Sequence, residues 1–557
     1  MDARKQQPAK PANGPATESL GSWKEIAAYL NRDERTVRRW EKEGLPIHRH
    51  LHNKRASVYA YRAEIDAWWT RDRSRLEAGP GVHGRFADLD DDATSIALGV
   101  LPLKNLSGDA GQDYYADGIS EALITELGKV SGFRVLSFQS VSRFRQTVKA
   151  LPDIARELSV DALLEGSVLR SGDRVRITAK LFQAVPEHQL LSETYEFDAR
   201  DILAVQAEVA RDAANRTRVR LTAQEQARLA VSNRVDPRAY EAYLLARAYS
   251  SKSVPEGLVK AKEHYEKAMA TDPTYASPCA GLAELYAAFP CQLMRVPKEA
   301  RLKSRRLAEK ALSLDHGLAG AHAALARVAQ QEWDWPEAEL GYRHASEVNR
   351  SYAAARIGYA MFLYALERFN EAVVEARRAQ QLDPASALVN TWAGAAYFYA
   401  GLEDEATAAW QVALELDPKY AHTSLALARS QVMRGRHAEA IAVLDNALSF
   451  ARQDAELLGA RAHALALSGR TKEALEVVSQ LEERHARDEI MPPFGRIWAY
   501  AGLGDNDRAF ALLAKADEER RDRMVWVKVD PLLAPLRSDP RYRNLVQRMN
   551  FPTITSR

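Results

Sequence analysis

Residues 369–384 read FNEAVVEARRAQQLDP and residues 403–418 read EDEATAAWQVALELDP. Laid over each other 34 positions apart, Glu371-Ala372 falls on Glu405-Ala406, Ala379 on Ala413, and Asp383-Pro384 on Asp417-Pro418. The register runs outward in both directions. Ala338, Ala372, Ala406, Ala440 and Ala474 follow at steps of 34, each preceded by Glu, and Ala345, Ala379, Ala413 and Ala447 sit seven residues beyond the first four. Asp272-Pro273 closes an earlier unit, and Gly401, Gly435, Gly469 and Gly504 mark turns. Small residues at fixed steps let two helices approach closely, and a proline after the second helix stops it. A period of this length predicts one helix pair per unit, stacked into a solenoid.

Period and small-residue pattern resemble the tetratricopeptide repeat. Eight units are expected, starting near residues 242, 276, 319, 353, 387, 421, 455 and 490, within a span of 236–520. The second carries an insertion of roughly nine residues between Pro290 and Pro297, judged from the repeat period. Arg350 stands where proline is usual, which predicts a looser junction after the third unit. Residues 521–557 are expected to cap and trail the array, with the stretch from Asp530-Pro531 to Phe551 covering the last unit, because a terminal repeat has no neighbour over its apolar face. The resemblance places the first helix of each unit on the concave face. That lining includes Arg327, Ile357, Met361, Thr391, Ala395, Phe398, Leu425 and Arg429. The groove is expected to take an apolar or amphipathic protein segment or peptide, with Arg327 and Arg429 on acidic flanks. The alternative is that these side chains pack within the protein itself.

Upstream, residues 1–20 are rich in Pro, Gln, Lys and Ala and read as a disordered lead-in. In residues 21–72, Ser22-Trp23-Lys24-Glu25 has the form of a capping box, followed by the apolar stripe Ile26, Ala27 and Leu30. Asp33 opens a second helix to about Glu43, with Val37 and Trp40 inward. A hairpin is expected through His48–Tyr61, and a third helix from Arg62 to Trp69. Between Asn31 and Arg55 eight Lys/Arg face four acids, a local charge of +4 against +2 for the whole chain. Helix, short turn, helix and wing form a major-groove reading device. Ile26-Ala27-Ala28-Tyr29-Leu30 and the run Arg35 to Pro46 resemble the winged helix-turn-helix of the MerR and excisionase group. This implies double-stranded DNA as partner, with Arg35, Thr36, Arg38 and Arg39 toward the major groove, Arg49, Lys54 and Arg55 on phosphates, phosphate contact also expected of His48 and His50, and Lys42 among the DNA-binding residues. MerR-type regulators usually continue into a long dimerising helix. Here a linker with Gly79-Pro80-Gly81 and the acidic run Asp88 to Asp92 occupies residues 73–94, so oligomeric state stays open. Alternating His48, His50 and His52 could share a strand face, but no Cys or carboxylate lies among them, and a metal site is not expected.

Residues 95–225 alternate strand and helix patterns: a strand from Ile96 to Leu103, a helix from Ile119 to Val130, a strand from Val135 to Phe138 and a helix from Leu151 to Leu158. Three strands near 162–169, 175–184 and 190–197 and a helix near 201–220 complete the module. Asp117 is expected to cap the first helix. The runs Asn105 to Asp109, Tyr115 to Gly118 and Leu164 to Val168 resemble the TolB N-terminal-like α/β domain found before such arrays in bacterial regulators and some adenylate-cyclase-linked proteins. That resemblance implies a sensory or assembly role.

The remaining readings exclude classes. Of 557 residues, 46% are hydrophobic and 27% charged, which rules out wholesale disorder and points to several domains. Two cysteines, Cys279 and Cys291, make neither a disulfide framework nor a four-ligand zinc site. The polar start and the lack of an apolar run of 18 residues predict no secretory signal and no transmembrane helix, and a cytoplasmic address. No phosphate-binding loop, nucleophile elbow or zinc-protease motif occurs. Scattered His322, His344, His422 and His463 read as packing or surface residues. The expectation is a mainly α multidomain chain: a winged helix-turn-helix, then a small α/β domain, then an α-solenoid. It is read as a transcriptional regulator with no catalytic residues, cofactor or metal. The rivals are a repeat scaffold that does not bind DNA and, third, part of an adenylate-cyclase-type signalling enzyme.

Overall fold

A computed structural model describes residues 19–20, 22–30, 37–38, 45–52, 55–62, 64–65, 68, 95–145, 147–230, 234–251, 255–289, 293, 296–487 and 491–552. The chain divides into two compact units, 1–94 and 95–557.

In the first unit, Ser22 accepts a hydrogen bond from the Glu25 amide (3.2 Å) and starts the helix Trp23–Tyr29. This cap satisfies one of the amides that a helix start leaves without a partner. Strands β2 (His48–His52) and β3 (Arg55–Tyr61) form an antiparallel hairpin in which His48 faces Tyr59 and His52 faces Arg55. Strand β1 (Ser19–Leu20) pairs with the other edge of β3, so the last two residues assigned to the lead-in belong to the sheet. Leu20, Ile26, Ala27, Leu30, Val37, Leu45, Ala60, Ile65 and Trp68 make one buried core. Most of the expected second helix, and the linker, lie outside the described residues.

The second unit opens with a six-stranded sheet of β4 (Ile96–Val100), β5 (Lys104–Asn105), β6 (Phe133–Val135), β7 (Ala162–Ser171), β8 (Arg174–Gln183) and β9 (His188–Asp198), in the order β6-β4-β7-β8-β9 with the short β5 also on β7. Strand β4 runs parallel to β6 and β7. Strands β7, β8 and β9 form an antiparallel meander. The helices Asp113–Gly128 and Ile202–Arg216 cover one face of the sheet, while Phe138–Ser142 and Leu151–Leu158 cover the other. Two expectations need correction. Asp117 does not cap a helix: the helix begins at Asp113, and Asp117 lies inside it, ion-paired with Arg145. The strand expected through Phe138 stops at Val135, because Ser137 caps a helical turn at the Ser140 amide.

Eight helix pairs follow among the described residues: 237–250 with 255–271, 276–288 with 297–314, 319–332 with 335–348, 353–365 with 369–382, 387–399 with 403–416, 421–433 with 437–450, 455–467 with 471–486, and 494–503 with 506–518. Ala338, Ala372, Ala406, Ala440 and Ala474 are all fully buried between helices. Gly459 and Gly495 bring the first helices of pairs seven and eight together so closely that a Cβ on either would strike the other helix's backbone. The turn inside a pair needs one left-handed residue after the first helix. Gly401, Gly435 and Gly469 supply it, and Trp333 and Glu367 occupy the same position in pairs three and four (φ 64° and 61°).

The α/β module packs directly on the array. Leu98, Ile119 and Leu123 share a buried cluster with Ala239, Tyr240, Leu244 and Tyr275. The junction at Arg350, expected to be loose, is where the module docks. Asn349 donates to the Thr125 carbonyl (3.3 Å), and the Val135 amide donates to the Ser351 hydroxyl (2.9 Å). The module supplies the fixing hydrogen bonds that an unusual junction residue would otherwise leave unmade. One junction later, Asp383 accepts hydrogen bonds from the Ser137 and Ser140 hydroxyls, and Ser137 N donates to the Leu382 carbonyl (2.8 Å). Burial pushes the Asp383 carboxyl up to about 6, against the pull of the two serines.

Candidate functional site

The basic unit and the inner face of the array are the two surfaces that the sequence singles out. In the basic unit, Arg35, Thr36, Arg39, Lys42 and Lys54 lie outside the described residues. The backbones of Arg49 and His50 lie on β2 and that of Arg55 on β3. Arg38 is exposed, with its guanidinium 5.0 Å from the centre of the Trp23 ring. His48 is already engaged: Nε2 lies 2.6 Å from a Glu64 carboxylate oxygen, and its ring stacks on Tyr59 at 5.1 Å. The carboxylate that reaches this histidine comes from helix residue Glu64, not from the strand. Among the described residues no group of three or more His, Cys, Asp or Glu could hold a metal ion.

The array's inner face differs from the expected open groove. Residues 519–551 fold back along the first helices of the pairs. Two 3-10 turns, Asp522–Trp526 and Pro531–Leu536, fill the face, and helix Pro540–Arg548 then packs on the last pair. Met361 is therefore core. It is 6% exposed, clustered with Val525 and Val529, and its carbonyl accepts from the Trp526 indole N–H (3.2 Å). Ile357 and Leu425 are also buried. Thr391 is fully buried and shares a 2.6 Å hydrogen bond with Thr423, which ties pair five to pair six. Ala395 is buried, and Phe398 packs on Trp410 within its own pair, with Arg434 over its ring. Five of these six are buried, and Phe398 is half-buried. The physical reason is area: the concave face of an apolar solenoid is too large to leave in water when the chain carries an apolar segment long enough to cover it.

The two arginines part company. Arg429 does hold an acid, but the acid is Asp530 of the same chain, at 2.8 Å. Arg327 is half-buried, and its Nε has no hydrogen-bond partner. Further contacts secure the segment. The second oxygen of Asp530 accepts from the Trp498 indole (3.0 Å), and Arg523 and Lys528 pair with Glu456 and Glu367. Trp526 lies nearly parallel to Trp392 at 5.8 Å and to Tyr364 at 6.3 Å. The Trp335 indole donates to the Met549 carbonyl (3.0 Å), and its ring stacks on Phe551 at 4.6 Å. Sequence reasoning missed Trp498, Trp526 and Asp530 as one constellation. The available signal was the run Met524-Val525-Trp526-Val527 with Leu532-Leu533, too apolar for a segment left in water.

A family model described as tetratricopeptide repeat matches residues 397–464 and 432–491. The array thus carries tetratricopeptide repeats, an architecture that serves protein interaction. A curated relative, the "Putative adenylate cyclase 3" of Rhizobium meliloti (strain 1021), is 35% identical over 219 residues. That match covers 39% of this chain, and the chain spans only 37% of the relative's length. Among solved structures, the Pseudomonas aeruginosa pilF protein is 22% identical with a TM-score of 0.30, over 37% of this chain and 92% of that one. A monomeric IFIT1 mutant is 15% identical with a TM-score of 0.41, over 63% of this chain and 89% of that one. No helix among the described residues is long and apolar enough to cross a membrane.

Proposed function

We propose that this chain is a DNA-binding transcriptional regulator whose tetratricopeptide array engages a protein partner. The observation that supports the DNA half is the N-terminal unit. It closes its own core on Ile26, Val37, Ala60, Ile65 and Trp68 and carries a helix and an antiparallel hairpin, while the sequence concentrates +4 of charge between Asn31 and Arg55. Local positive charge on a small closed domain attracts phosphate, and base edges are then read by side chains of a helix in the groove. The α/β module, packed on pairs one to four, is assigned a transmitting or assembling role. No residue is assigned a catalytic role.

The test is a titration of the full-length protein into duplex DNA over a salt series. Binding should fall linearly on a log–log plot as salt rises, the mark of released counterions. No binding to any duplex at about 50 mM salt, where phosphate contacts are strongest, would reject the DNA reading and leave a repeat scaffold. The cyclase-named relative favours a second reading, in which the shared 219-residue stretch is a regulatory part of a signalling enzyme. Conversion of ATP to a cyclic product by the full chain would decide for it.

A further inference from the structure

Residues 522–533 make contact with the array as a bound peptide would. Their two 3-10 turns close on their own short-range hydrogen bonds, such as Val527 N to the Met524 carbonyl (3.0 Å), and the array adds others across the seam: the Met361 backbone carbonyl accepts from the Trp526 indole, and the Trp498 indole donates to Asp530. The recognition elements are spaced. An indole rests beside Trp392 and Tyr364, and four residues later a carboxylate sits on Arg429. Three ion pairs join segment and array: Arg523 to Glu456, Lys528 to Glu367, and Asp530 to Arg429. The segment is held at both ends, by the left-handed turn at Arg520 (φ 51°) and by helix Pro540–Arg548, whose Arg541 and Arg548 pair with Asp507 and Asp517 of the last helix pair.

We propose that residues 522–533 are a resident ligand closing the array's partner site, and that an external protein segment enters by presenting the same chemistry, an aromatic ring four residues ahead of a carboxylate. This deepens the reading of the array as a protein-binding element and rests on it. A tethered occupant acts at an effective concentration on the order of millimolar, so a free segment has little access until the resident one is weakened.

The test uses the full chain and a labelled peptide of residues 522–533. Wild-type protein should bind the peptide weakly. Asp530→Ala in the full chain removes the resident carboxylate and should raise peptide affinity at least tenfold, whereas a peptide carrying the same Asp530→Ala change should gain nothing. A variant that keeps the wild-type helical circular dichroism yet takes the peptide no better overturns the proposal. Should the variant lose that signal, hydrogen exchange on the wild-type chain decides instead. The amides of 525–533 should exchange well ahead of those in helices Phe494–Leu503 and Asn506–Glu518. Exchange of all three only in step would make the segment permanent core and overturn the proposal. Neither readout involves DNA, and binding of a partner to the outer helices would leave the reading of the array standing even if this site failed.

Discussion

Arg429, on the first helix of pair six, and Asp530, between the two 3-10 turns, form a buried ion pair at 2.8 Å, with the two side chains only 13% and 4% exposed. Two charges in so little water are each costly alone, and either becomes an uncompensated buried ion when the other is removed. A double-mutant cycle with Arg429→Met and Asp530→Asn should therefore return a coupling of about 1–3 kcal/mol, with the double variant more stable than the two single losses predict. Urea denaturation of the four proteins measures it.

Met361 would tolerate a charge if it lined a groove. It is instead buried in the same core cluster as Val525 and Val529. Met361→Glu places a carboxylate without a partner in that cluster and should lower stability by roughly 2–5 kcal/mol, seen as a lower thermal midpoint. Ala406→Trp, at a fully buried position between helices, should cost about 1–3 kcal/mol by overpacking. An unchanged midpoint in both would contradict the packing of the array.

Asp383 gives a pH dependence with a definite sign. Burial holds its folded-state value up at about 6, above the ordinary 3.8 of an unfolded chain. Between those values the folded state binds more protons than the unfolded one, so this residue's contribution to stability falls as pH rises through the window and is level above it. Asp383→Asn keeps an acceptor for Ser137 and Ser140 but cannot ionise. Thermal midpoints taken from pH 4 to 7 should show the variant losing less stability than wild type as pH rises.

For the N-terminal unit, Arg38→Ala should cost roughly 1–3 kcal/mol of binding on a preferred duplex and relax sequence preference, as expected for a side chain on a base edge. Lys54→Ala should weaken binding on all duplexes alike and reduce the salt slope by about one, as expected for a phosphate contact. Equal effects of both changes on every sequence would remove Arg38 from base reading.

The repeat was legible because its constraint is local and periodic. Where two helices of a pair touch, only a small side chain fits, so alanine recurs at 338, 372, 406, 440 and 474. The left-handed turn was only partly legible: glycine marks it at 401, 435 and 469, but Trp333 and Glu367 hold the same backbone. Neither helical periodicity nor turn composition could show that Ser137 meets Asp383, or that Asn349 meets Thr125, because each pair joins residues more than 200 positions apart.

The candidate groove shows the division most plainly. From the sequence alone came the helix pairs, the small-residue seams and a list of side chains on the first helices, all set by spacing along one chain segment. What covers those side chains was a matter for tertiary structure. Burial is a competition among every apolar surface in the molecule, and here the C-terminal segment wins the inner face with Trp526, Leu532 and Leu533 as apolar cover and Asp530 as the counter-charge to Arg429. Such long-range pairing leaves no period in the sequence, because it is made once, between two segments that match only when the solenoid has curved to bring them together.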